Sequence, residues 1–253
     1  MTSSPRPQHA LDTPPIEVET GPEPSFSVIW MHGLGADGSD FEPIVEELKL
    51  PETPALRFIF PNAPHRPVTC NGGYVMRAWY DIISLAPDSR QIDEAGLLES
   101  REIVRQLIRR EAKRGVPAER VILAGFSQGG AVAYLTGLTH PTALAGIIAL
   151  STYMPSPRLL EKALAEANRR IPIFAAHGTQ DDVVSLQLGR DAVETIRQLG
   201  TTPEWRTYGM PHSVCLEEIA DIRAWLGGVC CATTEAAGRS QTVSASPGSH
   251  GRS

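Results

Sequence analysis

Short apolar runs alternate along this chain with longer segments in which apolar residues recur at helical spacing. The runs hold four to six residues, many of them Val, Ile or Leu, as in strands that are buried on both faces. Strands are predicted at residues 26–31, 56–60, 121–124, 145–150, 171–176 and 204–208. Their alternation with helices predicts an α/β fold, with a mostly parallel central sheet and helices on both faces.

The segments between these strands are predicted to be helices. The longest, at about 93–114, has apolar residues on one face and charged residues on the other, and Gly115 and Pro117 mark its end. Another, at about 40–48, begins near Ser39 and Glu42, which have the spacing of a capping box. Further helices are predicted at residues 131–139, 157–169, 185–199 and 214–226.

Two segments have a less regular pattern. Residues 16–20 alternate between apolar and polar side chains and are predicted to form an edge strand beside residues 26–31. Residues 61–91 hold Pro, Gly and aromatic residues without a clear period, so we interpret them as a long loop. Loops of this length inside a compact domain usually serve a function.

The two ends of the chain have few apolar residues to bury. Residues 1–22 are rich in Pro, Ser and Thr, and residues 229–253 are mostly small or polar. We therefore predict disordered tails at 1–22 and 229–253 on either side of a single α/β domain at 23–228. A chain of 253 residues is long enough for one such domain with a full core.

Composition and charge argue against several classes of protein. The chain is 42% hydrophobic and 21% charged, with a mean hydropathy of -0.14, which is ordinary for a globular protein. A formal charge of -6 without clustered Lys and Arg argues against a nucleic-acid partner. No apolar run in the sequence suits a signal peptide or a bilayer span, which predicts a cytoplasmic protein without integral membrane contact.

The cysteines give no sign of a metal site or a disulfide framework. There are four, and their spacing fits neither. We interpret them as free thiols and predict no bound metal; they are Cys70, Cys215, Cys230 and Cys231.

The strongest chemical signal is the pentapeptide Gly-Phe-Ser-Gln-Gly at residues 125–129, which fits the pattern G-x-S-x-G. It follows a predicted strand and precedes a predicted helix, which is the context in which this pattern forms a sharp turn that presents a nucleophilic serine. Small residues two positions to either side keep the strand and helix from colliding. Ser127 is therefore the predicted nucleophile.

An acid and a histidine are expected later in the chain, each on a loop after a strand. Asp181 follows the strand predicted at 171–176, and His212 follows the one at 204–208. The carboxylate would fix the tautomer of an imidazole that accepts the proton of Ser127. Asp182 is the alternative acid. Neighbouring side chains on an extended loop point in different directions, so only one of the two carboxylates can meet His212. We favour Asp181 on its position in the loop.

Two further histidines adjoin the same strand ends. His32 and His177 each precede a glycine. This position suggests packing within a turn rather than a part in the chemistry.

The loop after residues 26–31 is a candidate for stabilising an oxyanion. Its sequence, His-Gly-Leu-Gly at 32–35, lets the backbone approach a substrate closely. The backbone N–H groups of Leu34 and Gln128 are the candidate donors. An ordinary Gly-rich turn is the alternative. The spacing differs from the G-x-G-x-x-G of dinucleotide sites, and no cofactor is predicted.

Several motifs, taken together, resemble a known family. They lie at residues 32–38, 60–64, 67–69, 71–73, 76–81, 125–130, 177–181 and 212–218. Over about residues 24–227 the chain is similar to the bacterial carboxylesterase, acyl-protein thioesterase and lysophospholipase family of small α/β-hydrolases. The resemblance implies the α/β-hydrolase fold, a triad of Ser127, Asp181 and His212, and oxyanion donors at Leu34 and Gln128.

The resemblance also implies how substrate binds. It suggests an open, largely apolar groove without a large lid, in which Leu34, Met76 and Trp79 contact the substrate. The segment around residues 79–81 would shape the acyl side of this groove. Many members of the family form dimers, so a homodimer is a further expectation.

These residues predict a serine carboxylesterase or thioesterase that works through an acyl-enzyme. The expected partner is a small-molecule ester or thioester, with a lysophospholipid or an acylated protein as further candidates. The alternatives are a lysophospholipase or protein depalmitoylase on the same fold, a lipase or peptidase, and a non-catalytic binding protein. The filled triad positions argue against the last of these.

Overall fold

A computed structural model of the chain describes residues 11–50, 54–86 and 89–244. Within these residues the chain forms eleven strands. They are β1 (Ile16–Glu19), β2 (Phe26–Met31), β3 (Leu56–Phe60), β4 (His65–Val68), β5 (Tyr74–Arg77), β6 (Ile82–Ala86), β7 (Ser89–Ile92), β8 (Val121–Phe126), β9 (Gly146–Leu150), β10 (Ile173–Gly178) and β11 (Glu204–Tyr208).

Seven of the strands form the central sheet, in the order β1-β3-β2-β8-β9-β10-β11. Every neighbouring pair is parallel except β1 and β3, which are antiparallel. Strands β2, β3, β9 and β10 are buried along their whole length, as their mostly apolar sequences predict. The predicted mostly parallel sheet is confirmed.

Six helices pack on the sheet in the described residues. They are α1 (Ile44–Leu48), α2 (Glu94–Lys113), α3 (Gln128–Leu138), α4 (Pro157–Ala163), α5 (Leu186–Gln198) and α6 (Leu216–Ser244). Helices α2 to α5 bury their apolar residues in one core cluster, and α1 and α6 bury theirs in a second. The sheet therefore has a hydrophobic core on each face, as the α/β pattern predicts.

The first strand pairs differently from the prediction. Strand β1 runs antiparallel to β3, with Ile16 opposite Phe60, and does not touch β2 in the ladder. Both edges of β2 are occupied by the parallel neighbours β3 and β8. Because no edge of β2 is free, the short alternating strand adds to the outer edge of the sheet instead.

The first helix is shorter than predicted, and the capping box does not form. Asp37 accepts hydrogen bonds from both the hydroxyl and the backbone N–H of Ser39, at 2.6 and 2.8 Å. The helix begins at Ile44, after Pro43. The local Asp–Ser turn competes successfully with a cap at Ser39.

Residues 61–91 are not a long loop. Strands β4 and β5 form one antiparallel hairpin, and β6 and β7 form another. Neither hairpin has a face that is fully buried. These strands therefore lack the alternation of apolar and polar residues from which a strand is predicted.

The helix predicted over 157–169 is divided. Helix α4 ends at Ala163, and a short 3-10 helix covers Glu166–Asn168. The buried amide of Asn168 accepts a hydrogen bond from the N–H of Leu144 and donates to the carbonyl of His140. These bonds tie the segment to the loop before β9, and a continuous helix could not present Asn168 in the same way.

Both predicted tails are wrong in part. Residues 16–19 of the predicted N-terminal tail form β1, and α6 continues past residue 228 to Ser244. Val229 and Cys230, which belong to α6, are buried in the core cluster that α1 and α6 share. Residues 1–10 and 245–253 lie outside the described residues. The four cysteines are free, and no helix in the described ranges could span a bilayer.

Candidate active site

The three predicted triad residues lie at the C-terminal edge of the sheet. Ser127 directly follows β8, Asp181 lies three residues after β10, and His212 lies four residues after β11. These strands are parallel and lie within four positions of one another in the sheet, so the loops that leave them emerge on the same side.

Ser127 occupies a strained turn between β8 and α3. Its φ of 53° and ψ of -118° lie in a region that residues other than glycine rarely adopt. A side-chain carbon on Gly125 would lie 2.3 Å from the backbone of Gly129, and one on Gly129 would lie 2.2 Å from the carbonyl oxygen of Met31. Only glycine fits at these two positions, so the turn is as tight as the motif predicts.

Hydrogen bonds hold this turn on both sides. The N–H of Ser127 donates to the carbonyl of Leu150 at 2.9 Å, and the hydroxyl of Thr152 donates to the carbonyl of Ser127 at 2.6 Å. The strain at Ser127 is therefore maintained by its surroundings. Ser127 itself remains partly exposed.

His212 and Asp181 form a short, buried hydrogen bond. The Nδ1 atom of His212 donates to Oδ2 of Asp181 at 2.7 Å. The side chain of Asp181 is fully buried and that of His212 is 14% exposed. The ring of His212 also packs on Phe126, with centroids 4.6 Å apart, which puts the imidazole beside the turn that holds Ser127. With Nδ1 donating, the Nε2 atom is left as the acceptor.

Asp181 is surrounded by hydrogen-bond donors. Its Oδ1 atom accepts from the N–H groups of Val183 and Val184 at 2.9 and 2.8 Å. Burial alone would raise the pKa of Asp181, but hydrogen bonds from His177, His212 and the N–H of Val184 outweigh it and hold the pKa well below its usual range. The carboxylate is therefore ionised at neutral pH.

The alternative acid, Asp182, does not take this position. Asp182 is exposed, whereas Asp181 bonds to His212. The geometry therefore favours Asp181, as the loop position predicts.

The loop after β2 lies against this turn. A side-chain carbon on Gly33 would lie 3.6 Å from Cβ of Ser127. His32 donates from Nδ1 to the carbonyl of Gly33 at 2.7 Å and accepts at Nε2 from the N–H of Ala63 at 3.0 Å. Burial lowers the pKa of His32 to about 4, so this ring is neutral. The predicted role of His32 in turn packing agrees with these bonds.

The two candidate oxyanion donors belong to the turn at Ser127 and to the loop that packs against it. Gln128 is the first residue of α3, so its N–H has no acceptor within the helix. Leu34 lies in the loop next to Gly33, and this loop is fixed by the bond from the N–H of Gly35 to the carbonyl of Arg77 at 2.9 Å. Both backbone groups therefore belong to segments that adjoin Ser127, the predicted nucleophile.

Trp79 does not lie on the surface of the groove, contrary to the expectation for the substrate contacts. It is fully buried, and its indole N–H donates to the carbonyl of His32 at 3.0 Å. Its backbone N–H donates to Oε1 of Gln128 at 2.7 Å, and Nε2 of Gln128 donates to the carbonyl of Tyr80 at 2.8 Å. Trp79 is therefore hydrogen-bonded to both segments that carry a candidate oxyanion donor, the loop after β2 and the start of α3. Burial of a large aromatic side chain stabilises the fold, and the sequence alone does not show whether Trp79 is buried or exposed.

The other two predicted substrate contacts remain accessible in part. Leu34 and Met76 are both intermediate in exposure. The sulfur of Met76 lies 3.5 Å from where a side chain on Gly35 would project, so Met76 overhangs the oxyanion loop.

Three side chains have supporting roles that the sequence did not predict. The amide of Gln128 joins α3 to the segment at 79–80, Thr152 holds the carbonyl of Ser127, and His177 approaches the carboxylate of Asp181 to 3.3 Å. His177 has a sequence signal, because it lies at a strand end four residues before the acid. Gln128 and Thr152 give none, since their partners are distant in sequence.

The site brings together a serine on a strained turn, an imidazole and a buried carboxylate at one edge of the sheet, with two backbone donors nearby. Acyl transfer through a serine requires these groups. Among the described residues, no cluster of three or more His, Cys, Asp or Glu side chains has an arrangement that could hold a metal ion. The chemistry that the site can perform is nucleophilic attack on a carbonyl carbon, followed by hydrolysis.

Comparison with known proteins gives a consistent result. The family model described as Phospholipase/Carboxylesterase matches residues 14–229. Acyl-protein thioesterase 1 of Mycosarcoma maydis is 38% identical over 230 residues, covering 85% of this chain and 96% of the relative. Acyl-protein thioesterase 1 of Neurospora crassa is 39% identical over 225 residues, covering 84% and 90%.

Solved structures show the same similarity in three dimensions. The crystal structure of Arabidopsis thaliana SOBER1 matches with a TM-score of 0.76 at 35% identity, covering 81% of this chain and 98% of the other. Zea mays acyl-protein thioesterase 2 matches with a TM-score of 0.74 at 26% identity, covering 85% and 99%. The α/β-hydrolase fold is therefore confirmed over most of the chain.

Proposed function

This chain belongs to the phospholipase/carboxylesterase family of α/β-hydrolases, and we propose that it hydrolyses thioesters and esters of long acyl chains, with Ser127 as its nucleophile. It is a serine hydrolase that acts on carboxylic esters. The observation that carries the assignment of residues is the 2.7 Å bond between His212 and Asp181 beside the strained turn at Ser127.

The reaction proceeds in two halves. His212 removes the proton of Ser127 through Nε2, and the serine oxygen attacks the carbonyl carbon of the substrate. The tetrahedral intermediate collapses, the acyl–oxygen or acyl–sulfur bond breaks, and His212 returns the proton to the leaving alcohol or thiol. Water, deprotonated by the same imidazole, then hydrolyses the acyl-enzyme and releases the carboxylic acid.

The remaining groups stabilise charge during these steps. The ionised carboxylate of Asp181 keeps the proton of His212 on Nδ1 and stabilises the imidazolium. The N–H groups of Leu34 and Gln128 donate to the oxyanion, where each such bond is strongest in the transition state. Trp79 and the amide of Gln128 keep these two donors in place.

Exposed apolar side chains support a long acyl chain as substrate. In the described residues, the large hydrophobic side chains that are exposed all lie on segments that leave the sheet at the edge holding Ser127. They are Tyr74, Val75, Ile83, Leu85, Val183 and Leu216, with exposures of 39–72%. We call this set the apolar rim. A rim of this kind can cover the hydrocarbon part of a substrate whose carbonyl lies at Ser127.

The leaving group is less constrained than the acyl chain. The proposed substrate is an acylated cysteine of a protein, in line with the names of the two fungal relatives. A lysophospholipid would offer the same acyl chain to the apolar rim, and direct comparison of the two substrates distinguishes them. A homodimer and a cytoplasmic location stay predictions, which sedimentation and cell fractionation test.

A kinetic profile over acyl length tests this function. The substrates are p-nitrophenyl esters and thioesters from acetyl to palmitoyl. We expect kcat/KM to rise with chain length, and Leu85→Ser to lower it by about tenfold for the long chains while sparing acetyl. Ser127→Ala should lower kcat at least about 1,000-fold, whereas Ser25→Ala, at the opposite edge of the sheet, should not change it. Equal kcat/KM at every chain length would contradict the acyl assignment.

A further inference from the structure

His177 and His212 approach the same carboxylate from two sides. The Nε2 atom of His177 lies 3.3 Å from Oδ2 of Asp181, the atom that also accepts the 2.7 Å bond from His212. His177 is the next-to-last residue of β10 and is fully buried. Its side chain has no exposed surface, so a substrate cannot contact it directly.

The surroundings of His177 fix its tautomer. Its Nε2 atom lies 2.8 Å from the carbonyl oxygen of Val184, which can only accept a hydrogen bond, so Nε2 carries the proton. The Nδ1 atom is buried and has no hydrogen-bond partner in the described residues. Gly189 closes over it, since a side-chain carbon there would lie 2.4 Å from Nδ1. The ring therefore has one orientation and one tautomer.

This ring closes the loop that carries Asp181. Oδ1 of Asp181 accepts from the N–H of Val184, and the backbone carbonyl of Val184 accepts from Nε2 of His177. Val184 is thus held at both its N–H and its carbonyl. The carboxylate cannot rotate without breaking one of these bonds, so Oδ2 stays directed at His212.

We infer that His177 is a positioning residue for Asp181, an assignment that rests on the proposed function. Its Nε2 atom contacts the carbonyl of Val184 and the carboxylate of Asp181, and the two distances show how it positions the acid. The 2.8 Å bond to Val184 fixes the loop, while the longer 3.3 Å contact leaves most of the accepting capacity of Oδ2 to His212. His177 thereby holds the acid without competing with the catalytic imidazole.

Substitutions at His177 separate positioning from packing. His177→Leu keeps an apolar body and removes the donor, and His177→Gln keeps an N–H at similar reach. We expect kcat of His177→Leu to fall about 10- to 100-fold, as for other residues that orient a catalytic group, with KM within about twofold and partial rescue by His177→Gln. The matched control is His140→Leu, because His140 is buried and hydrogen-bonded to Thr142 away from the site. It should lower stability and leave kcat unchanged.

A spectroscopic signature completes the test. The proton between His212 and Asp181 should give a far-downfield NMR signal that His140→Leu and His177→Gln retain and His177→Leu loses. If His177→Leu does not fold, Gly189→Ala serves in its place, since the added carbon would lie 2.4 Å from Nδ1 of His177, with the ring of Trp205 as its other near neighbour. Wild-type kcat together with an unchanged downfield signal in either variant would overturn the inference. Full activity of Ser127→Ala would instead overturn the proposed function itself.

Discussion

Phe126 and His212 pack with their ring centroids 4.6 Å apart, although 86 positions separate them in the chain. Phe126 ends β8 and directly precedes Ser127, while His212 follows β11, which lies three strands away from β8 in the sheet. The contact brings the imidazole to the strained turn independently of any substrate. The catalytic groups are therefore arranged by packing within the fold, and several consequences can be measured.

Asp181→Asn should abolish most of the activity without unfolding the protein. An amide at this position can donate to Nδ1 of His212 and so stabilise the wrong tautomer, and the imidazolium loses its counter-charge. We expect kcat to fall by about 10³- to 10⁴-fold. Asp182→Asn is the matched control, because Asp182 is exposed and Asp181 takes the bond to His212. A larger loss in Asp182→Asn than in Asp181→Asn would reverse the assignment of the acid.

Gly129→Ala should destabilise the fold. The added carbon would lie 2.2 Å from the carbonyl oxygen of Met31, within the packed contact between α3 and β2. We expect the free energy of unfolding in urea to fall by about 3 kcal/mol. Gly227→Ala is the control, because nothing lies within 4 Å of its added carbon and it is inside α6. It should raise stability by about 0.5–1 kcal/mol through helix propensity. Equal effects of the two changes would refute the steric account of the turn.

Glu218 should make stability depend on pH. Burial, with a smaller effect from Asp221, raises the pKa of Glu218 from 4.5 to about 8, and neither carboxylate oxygen has a hydrogen-bond partner in the described residues. Since the folded protein holds this proton more tightly than the unfolded chain, the contribution of Glu218 to stability is fully present below pH 4.5 and is lost by about pH 8.

Urea unfolding between pH 5 and pH 8 measures this effect. Each pH unit in that window should remove about 1.4 kcal/mol in the wild type through this group. Glu218→Gln should lack that part of the slope and be the more stable form near pH 8. The exposed neighbour Glu217 provides the control, since Glu217→Gln should leave the slope nearly unchanged. Parallel curves for wild type and Glu218→Gln would show that Glu218 ionises normally in the folded state.

Much of the site could be predicted because its signals are local. Ser127 lies in a five-residue motif with a strand before it, and Asp181 and His212 follow later strands in the order that the fold requires. Parallel strands bring such loops to one edge whatever their separation in sequence. The order of residues along the chain thus carries three-dimensional information here.

Other features depend on contacts that a single sequence does not reveal. The resemblance predicts Trp79 at the substrate groove, but this residue is buried, and its indole N–H donates to the carbonyl of His32. The strand at Ile16–Glu19 pairs with β3 because both edges of β2 are occupied by other strands. Helix α6 extends past residue 228 because Val229 and Cys230 are buried in the core cluster that also contains residues of α1. Each outcome is decided by a neighbour that lies far away in sequence.

The most direct test of the account is to identify the residue that carries the acyl group. A palmitoyl thioester is mixed with the wild-type protein, the reaction is quenched in acid within the first turnover, and the peptides are mapped by mass spectrometry. We predict a palmitoyl group on Ser127 in the wild type and none on that peptide in folded Ser127→Ala. An acyl group on another residue such as Cys215, or unchanged thioester turnover by Ser127→Ala, would contradict the account.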